Sequence, residues 1–262
     1  MKNFKILTAA IIAFSMIFAT IVPSFAFEES ESSNYDFLLE QGYSAEYLDN
    51  FTDAALQKMT EMISENGYIS DININSIVFN TPTNIARGTI NEDSLSLTIS
   101  SGSICQNGTD KITGVLVAVS WEWAKLKPLY RGQDAITINW DSDIFHFADA
   151  FYAQDFYKSN ETDEWSVFKE YSVLAVSNQG GIGHWTNLKS FSKYVGGGML
   201  FLLEPTISMK SGTANSTTLN VNYVHSQIPI TGLDFSVFDV GVGISWNISC
   251  ESMSGTNIIK FS

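Results

Sequence analysis

Cationic side chains are scarce in this sequence. Of its 262 residues, 14 are Lys or Arg and 28 are Asp or Glu, so the formal net charge is −14 at pH 7. Such a charge repels the phosphates of nucleic acids and of anionic lipid surfaces, so we expect no nucleic-acid partner. The same charge would keep an exported protein soluble.

Cysteine and histidine are also rare, with 2 and 3 residues. The histidines lie far apart and share no metal-ligand spacing, so we expect each of them to pack rather than to bind a cofactor. Cysteines of exported proteins often pair, and both cysteines here fall at inward positions near strand ends. The sequence therefore predicts a Cys105–Cys250 disulfide, with two buried thiols as the alternative.

Motifs for common enzyme mechanisms are missing. Gly243-Ile-Ser-Trp246 lacks the second glycine of a nucleophile elbow, and the glycines around Gly180 and Gly196 lack the Lys-Ser/Thr of a phosphate loop. We interpret both glycine clusters as hairpin glycines. Glu122, the only acid in an apolar strand, is a conceivable glycosidase acid, although that chemistry needs two carboxylates. We therefore expect a non-enzymatic protein. A secreted hydrolase is the third functional class, after the two that are given at the end of this subsection.

The first 26 residues predict a signal peptide. Lys2 and Lys5 precede an apolar run, residues 6–22, and Ser24-Phe25-Ala26 supplies small residues at the cleavage positions. Cleavage after Ala26 would leave Phe27 as the first residue of a secreted protein. The alternative is an uncleaved anchor helix, for which the run is slightly short.

Residues 27–67 predict a flexible lead-in, 28–34, followed by short helices. Ser44 and Thr52 are placed to cap two of them, and apolar residues recur at helical spacing from Leu56 to Ile63. We expect this helical annex to lie as a lid on the remaining domain, with a partner-docking hairpin as the alternative.

Residues 68–262 predict one all-β domain, an antiparallel β-sandwich or an open barrel, because short alternating runs are separated by Gly, Asn and Ser. Residues 115–123 and 136–140 alternate clearly, and we expect them to pair as two central strands. In the first, Trp121 and Trp123 share the apolar face and should be buried. The run 240–250 predicts a further strand.

Tryptophans in polar segments are the candidate ligand-binding residues. Trp165 and Trp185 lie in such segments, and aromatic rings beside polar loops can form a ligand platform. The partner would be an unknown extracellular or cell-surface ligand.

Acidic residues follow Trp140, and Asp141 and Asp143 lie on one side of a loop. With oxygens from Asp134, Asp149 or the backbone they could bind calcium, the only cofactor we consider; a solvated acidic rim is the alternative. For Asp134 itself we favour a local ion pair with Arg131.

Two functional classes remain. The first is a secreted, non-enzymatic binding or interaction module. The alternative is a membrane-active or self-assembling β protein, because strands that alternate Ser, Thr, Asn and Gly with Val, Ile and Leu also build transmembrane hairpins. That evidence for membrane contact is weaker, since a half-solvated sandwich shows the same alternation.

Overall fold

The structure, a computed structural model, describes residues 30–49, 51–76, 78–79, 90, 95–123, 133–211, 215–226, 234–238, 241–245 and 250–261. The predicted signal peptide and Arg131 lie outside these ranges. The helices of the described part are α1 (Ser30–Glu40), α2 (Ala45–Leu48) and α3 (Asp53–Ser64). Its strands are β1 (Tyr68–Ser76), β2 (Val78–Phe79), β3 (Leu95–Cys105), β4 (Lys111–Trp123), β5 (Gln133–Asn139), β6 (Phe145–Lys158), β7 (Ser166–Tyr171), β8 (Val176–Asn178), β9 (Gly181–Asn187), β10 (Tyr194–Pro205), β11 (Met209–Lys210), β12 (Asn215–Ser226), β13 (Asp234–Phe238), β14 (Gly241–Ser245) and β15 (Cys250–Phe261).

The helix caps confirm the local predictions. The Ser44 side chain accepts a hydrogen bond from Tyr47 N at the start of α2, and Thr52 accepts one from Ala55 N at the start of α3. Both cap residues have extended backbone, as N-caps require. The lead-in prediction was wrong in part, because α1 begins at Ser30, within the segment expected to be flexible.

The described strands form two large antiparallel sheets. Sheet A has the order β1-β3-β4-β10-β6-β7, with β11 pairing β4, and sheet B has the order β2-β15-β12-β5-β9-β8. Side chains from β4, β5, β10 and β12 meet in one core between the sheets. Trp121 and Trp123 lie in it with exposed fractions of 1% and 2%, as predicted. The structure thus confirms the antiparallel β-sandwich with an N-terminal helical annex.

The predicted pairing of residues 115–123 with residues 136–140, now β4 and β5, was wrong. β4 pairs with β3 and β10 in sheet A, whereas β5 pairs with β12 and β9 in sheet B. The two strands lie in different sheets on the two sides of the core instead of sharing hydrogen bonds. Residues 124–132 connect them, and a connection of this length can pass from one sheet to the other, unlike a two-residue hairpin loop.

The run predicted as one strand, 240–250, is divided between two sheets. β14 pairs with β13 in a separate two-stranded ribbon, whereas β15 pairs with β12 and β2 in sheet B. Continuous alternation of apolar residues is a local signal and does not show where a chain changes sheets.

The helical annex covers part of the outer face of sheet A. Leu48, Met59 and Ile63 of the annex are fully buried there in a second apolar cluster. Their partners on the sheet include Leu116 of β4 and Leu200 of β10. Within the described residues, no helix is both long enough and apolar enough to span a bilayer.

Candidate ligand-binding cleft

The outer face of sheet A changes from apolar to polar along its central strands. Leu116 and Ala118 of β4 lie beneath the helices, and the next two outward residues of the strand are Ser120 and Glu122. The same change occurs in β10, where Leu202 and Leu200 are followed toward the same end by Gly198 and Gly196 at the outward positions. The helical cover stops where the apolar side chains stop.

Two rows of residues beyond this boundary cross four adjacent strands of sheet A. Each row takes one outward residue from β3, β4, β10 and β6, which the strand register sets side by side. The first row is Ser96, Glu122, Gly196 and Phe156, and the second is Thr98, Ser120, Gly198 and Gln154. Together they form the floor of a cleft.

The glycines of β10 correct the sequence interpretation. Residues 196–198 are not hairpin glycines but lie in the middle of a central strand, paired on both sides. A Cβ at Gly197 would come within 2.3 Å of the Trp121 ring, so this glycine makes room for a core indole. A Cβ at Gly198 would meet its nearest atoms at 3.6 and 3.7 Å, so side-chain absence there leaves open space in the cleft.

The walls of the cleft come from the helical annex and from the segment before β7. Tyr47, Phe51 and Thr52 line one side, and Trp165 lines the cleft together with Phe156. The Trp165 and Phe156 rings meet edge to face with centroids 5.1 Å apart. The enclosed volume is about 240 Å³, below the roughly 300–1,000 Å³ of sites for drug-sized ligands. It suits one small unit of a larger ligand.

A chain of hydrogen bonds holds the amide of Gln154 in the floor. Its Oε1 accepts from the Thr52 hydroxyl, and its Nε2 donates to the Tyr152 hydroxyl at 2.7 Å and to Glu170 Oε1 at 3.0 Å. The N-cap residue of α3 therefore also positions a polar group of the cleft.

Glu122 is the only carboxylate among the described residues that line the cleft. Burial raises the pKa of this half-buried group, and the positive charge of Lys158 opposes that shift. The Lys158 ammonium lies instead over aromatic rings, 4.6 Å from the Trp165 centroid and 5.1 Å from that of Tyr194. A single carboxylate does not supply the acid and nucleophile or base of a glycosidase.

The two predicted ligand-binding tryptophans lie on opposite faces of the sandwich. Trp165 lines the cleft on sheet A, whereas Trp185 belongs to β9 of sheet B and packs on Phe235 of the β13–β14 ribbon, with centroids 4.4 Å apart. Both are half-buried. They cannot contribute to one platform, so only Trp165 belongs to this cleft.

The two aspartates suggested as calcium ligands are exposed. Asp141 Oδ1 accepts a hydrogen bond of 2.9 Å from Asp143 N, which closes a local turn. No cluster of three or more His, Cys, Asp or Glu residues within the described ranges is arranged to hold a metal ion. The calcium site at these two residues stays a prediction.

Asp134 lies in the core, and the ion pair suggested for it involves Arg131, which lies outside the described residues. The Asp134 carboxylate is fully buried, with Oδ2 accepting from the Tyr223 hydroxyl at 2.6 Å and Oδ1 lying 2.8 Å from His225 Nδ1. Both oxygens are thus engaged inside the core. Burial and the Asp134 charge raise the pKa of Tyr223 well above its usual value.

The predicted disulfide is not formed; Cys105 is a buried free cysteine. It pairs with Ile112 near the start of β4, whereas Trp123 ends that strand, roughly 35 Å away. Trp123 Nε1 donates to the Tyr223 hydroxyl at 3.1 Å, and Cys250 pairs with β12 beyond Tyr223. The cysteines therefore lie toward opposite ends of the sandwich, and a bridge needs Cα atoms within about 7 Å.

Sequence reasoning missed most of the cleft. The sequence pattern predicted Trp165 as a ligand-binding residue and marked Glu122 as the only acid in an apolar strand. For β4, however, the prediction used the inward, apolar residues and not the outward residues that alternate with them. The signal was present there, since Leu116 and Ala118 give way to Ser120 and Glu122 in one strand.

Comparison with known proteins gives only distant structural similarity. No protein-family model and no curated protein sequence matches the chain. A collagen-binding domain from a Staphylococcus aureus adhesin is 7% identical, with a TM-score of 0.26, over 71% of this chain and 97% of that domain. A structure concerned with Streptococcus parasanguinis adhesion by Fap1 fimbriae is 8% identical, with a TM-score of 0.30, over 73% and 90%.

A third similar structure is that of TmCBM61 in complex with β-1,4-galactotriose, at 6% identity and a TM-score of 0.21, over 75% of this chain and 92% of that one. Similarity at this level assigns neither a family nor a ligand to the chain.

Proposed function

We propose that this protein is an extracellular binding module that holds one sugar ring of a glycan in the cleft on sheet A. The observation that carries the proposal is the combination, in one small cleft, of aromatic side chains with a dense set of polar ones. Phe156 and Trp165 supply ring surface, and the floor adds hydroxyl, amide and carboxylate groups.

This combination fits a sugar because a sugar ring has apolar patches of C–H groups surrounded by hydroxyls. Aromatic rings can cover the apolar patches, while Ser and Thr hydroxyls and an amide can both donate and accept hydrogen bonds. Ser120 and Gln154 lie on either side of Gly198, where the absent side chain leaves room for the ring. The Ser120 hydroxyl can donate and accept, whereas the Nε2 group of Gln154 is engaged by Tyr152 and Glu170, so Gln154 can offer only a further acceptor site on Oε1. The volume accommodates one unit, so the rest of the glycan would extend into solvent.

Binding without catalysis is the simpler use of this site. Glu122 stands as the single acid of the described lining, and acyl or glycosyl transfer needs a second group in a defined position. Export, proposed from the leader sequence, would bring such a module into contact with glycans outside the cell.

Affinity electrophoresis through a panel of purified extracellular and cell-wall polysaccharides tests the proposal. We expect at least one polysaccharide to retard the protein. Trp165→Ala and Gly198→Val should each weaken that retardation at least about tenfold, because a lost aromatic contact or a filled cleft removes ring burial. The Cβ of Gly198→Val meets only ordinary contacts, and circular dichroism checks that the variant with the two further methyl groups folds.

Trp185→Ala is the matched control, because it truncates a half-buried tryptophan on the other sheet. It should leave retardation unchanged. Retardation by none of the polysaccharides would contradict the proposal, and so would a loss of binding in Trp185→Ala that Trp165→Ala does not share.

A further inference from the structure

The Glu122 carboxylate is available to a ligand. Among the described residues, no side chain forms a hydrogen bond or an ion pair with it. Its neighbour on one side is Gly196, which has no side chain. Its neighbour on the other side, Ser96, directs its hydroxyl to the Glu122 backbone oxygen at 3.4 Å. Within the described part of the chain, the carboxylate oxygens thus keep their hydrogen-bonding capacity.

Lys158, the cation that acts on Glu122 among the described residues, does not satisfy this carboxylate. Lys158 influences Glu122 through its charge, but it makes no ion pair with it and is held over the Trp165 and Tyr194 rings. The contact with Trp165 also shows that the aromatic wall attracts an ammonium group. Because Lys158 occupies this aromatic ring, a second cation would be held by the Glu122 carboxylate itself, against the charge of Lys158.

We infer that the sugar unit bound in the cleft carries a protonated amine, so that the site prefers an amino sugar over its N-acetylated or neutral counterparts. This inference rests on the proposed function. An ammonium group would form a charge-assisted hydrogen bond with Glu122, which is stronger than a bond between neutral groups. The net charge of −14 would further favour a cationic ligand over an anionic one.

Isothermal titration of four probes tests the inference: the trimers of glucosamine, N-acetylglucosamine and glucose, and tetramethylammonium. We expect the glucosamine trimer to bind about tenfold more tightly than the other two trimers at low salt, and to lose that advantage as salt rises. Glu122→Gln keeps the shape of the side chain and should remove the preference. Glu164→Gln makes the same charge change at an exposed residue outside the cleft and should keep it.

The outcomes separate the two proposals. Equal binding of the three trimers, unaffected by Glu122→Gln but lost in Gly198→Val, would overturn the amine preference and leave glycan binding standing. Binding of tetramethylammonium alone, lost in Glu122→Gln, would overturn the preference for an amino sugar and leave a cation site at Glu122, and the polysaccharide panel would again decide glycan binding separately. Binding of none of the four probes to the wild-type protein would overturn the amine preference, and the polysaccharide panel would then decide glycan binding separately.

Discussion

A second buried carboxylate, Asp155, joins the two sheets near the cleft. It projects from β6 into the core, where its oxygens accept hydrogen bonds from the Thr186 hydroxyl, from Asn187 N at 2.7 Å and from the Tyr171 hydroxyl at 2.5 Å. Burial outweighs these bonds and raises the pKa of Asp155 to about 6. Tyr171 also meets His184 edge to face at 4.5 Å, and burial lowers the pKa of His184 to about 4.

These two shifts act on stability in opposite directions. The pKa of Asp155 is raised from 3.8, so its contribution is fully present below pH 3.8 and is lost as pH rises through about 6. The pKa of His184 is lowered from 6.5, so its contribution is present above pH 6.5 and is lost as pH falls through about 4. Each amounts to about 3 kcal/mol at 1.36 kcal/mol per pKa unit, so the two nearly cancel between pH 4 and 6.5.

Substituting either residue should therefore reveal the pH dependence of stability that the other residue causes. Relative to wild type, Asp155→Asn should lose about 3 kcal/mol of unfolding free energy on going from pH 7 to pH 4, and His184→Gln should gain about as much. Urea denaturation of the three proteins at both pH values measures this. The pH dependence assigned to these residues would be wrong if all three proteins showed the same change between the two pH values.

At the scale of the element, α3 links the stability of the annex to the geometry of the cleft. Its N-cap, Thr52, serves the helix through Ala55 N and serves the floor through Gln154. Ser44 caps α2 with the same chemistry through Tyr47 N, but no hydrogen bond to a floor residue is described for it. Substitutions at the two caps can therefore distinguish an effect on helix stability from an effect on the position of a cleft residue.

Thr52→Ala and Ser44→Ala should each lower the unfolding free energy by about 0.5–2 kcal/mol, because each leaves a backbone N–H without its cap. Only Thr52→Ala should also weaken glycan binding, since Gln154 loses the partner of its Oε1. Denaturation and titration of the glycan found with wild type measure the two effects. Equal effects of both substitutions on affinity would show that the Thr52–Gln154 bond does not position the floor.

At the scale of the whole molecule, local patterns predicted strands and caps, but not their assembly. The alternation of apolar and polar residues correctly predicted that Trp121 and Trp123 are buried, because successive side chains of a strand point to opposite faces of its sheet. The cleft floor combines residues 96–98, 120–122, 154–156 and 196–198, which only the register of four strands brings together. Register and sheet membership depend on contacts between distant parts of the chain, and the sequence pattern alone does not encode them visibly.

The same limit explains the cysteine prediction, which followed from inward position and predicted export. The positions of the two cysteines along their strands keep them apart, because Cys105 lies near the Ile112 end of β4 and Cys250 lies beyond the Trp123 end. Packing across the large core between sheets A and B then has to stabilise the fold without a covalent link.

The thermal stability of this protein should not change when a reducing agent is added. Thiol titration of the unfolded, unreduced chain should find both cysteines free, and an excess of dithiothreitol should leave the thermal midpoint of the native protein unchanged. A bridge that closed so long a loop would contribute roughly 4–5 kcal/mol on the chain-entropy model, so its reduction would lower the midpoint by several degrees. The absence of free thiols, together with such a drop, would show that Cys105 and Cys250 are joined and that the arrangement of β15 relative to β3 differs from the one described.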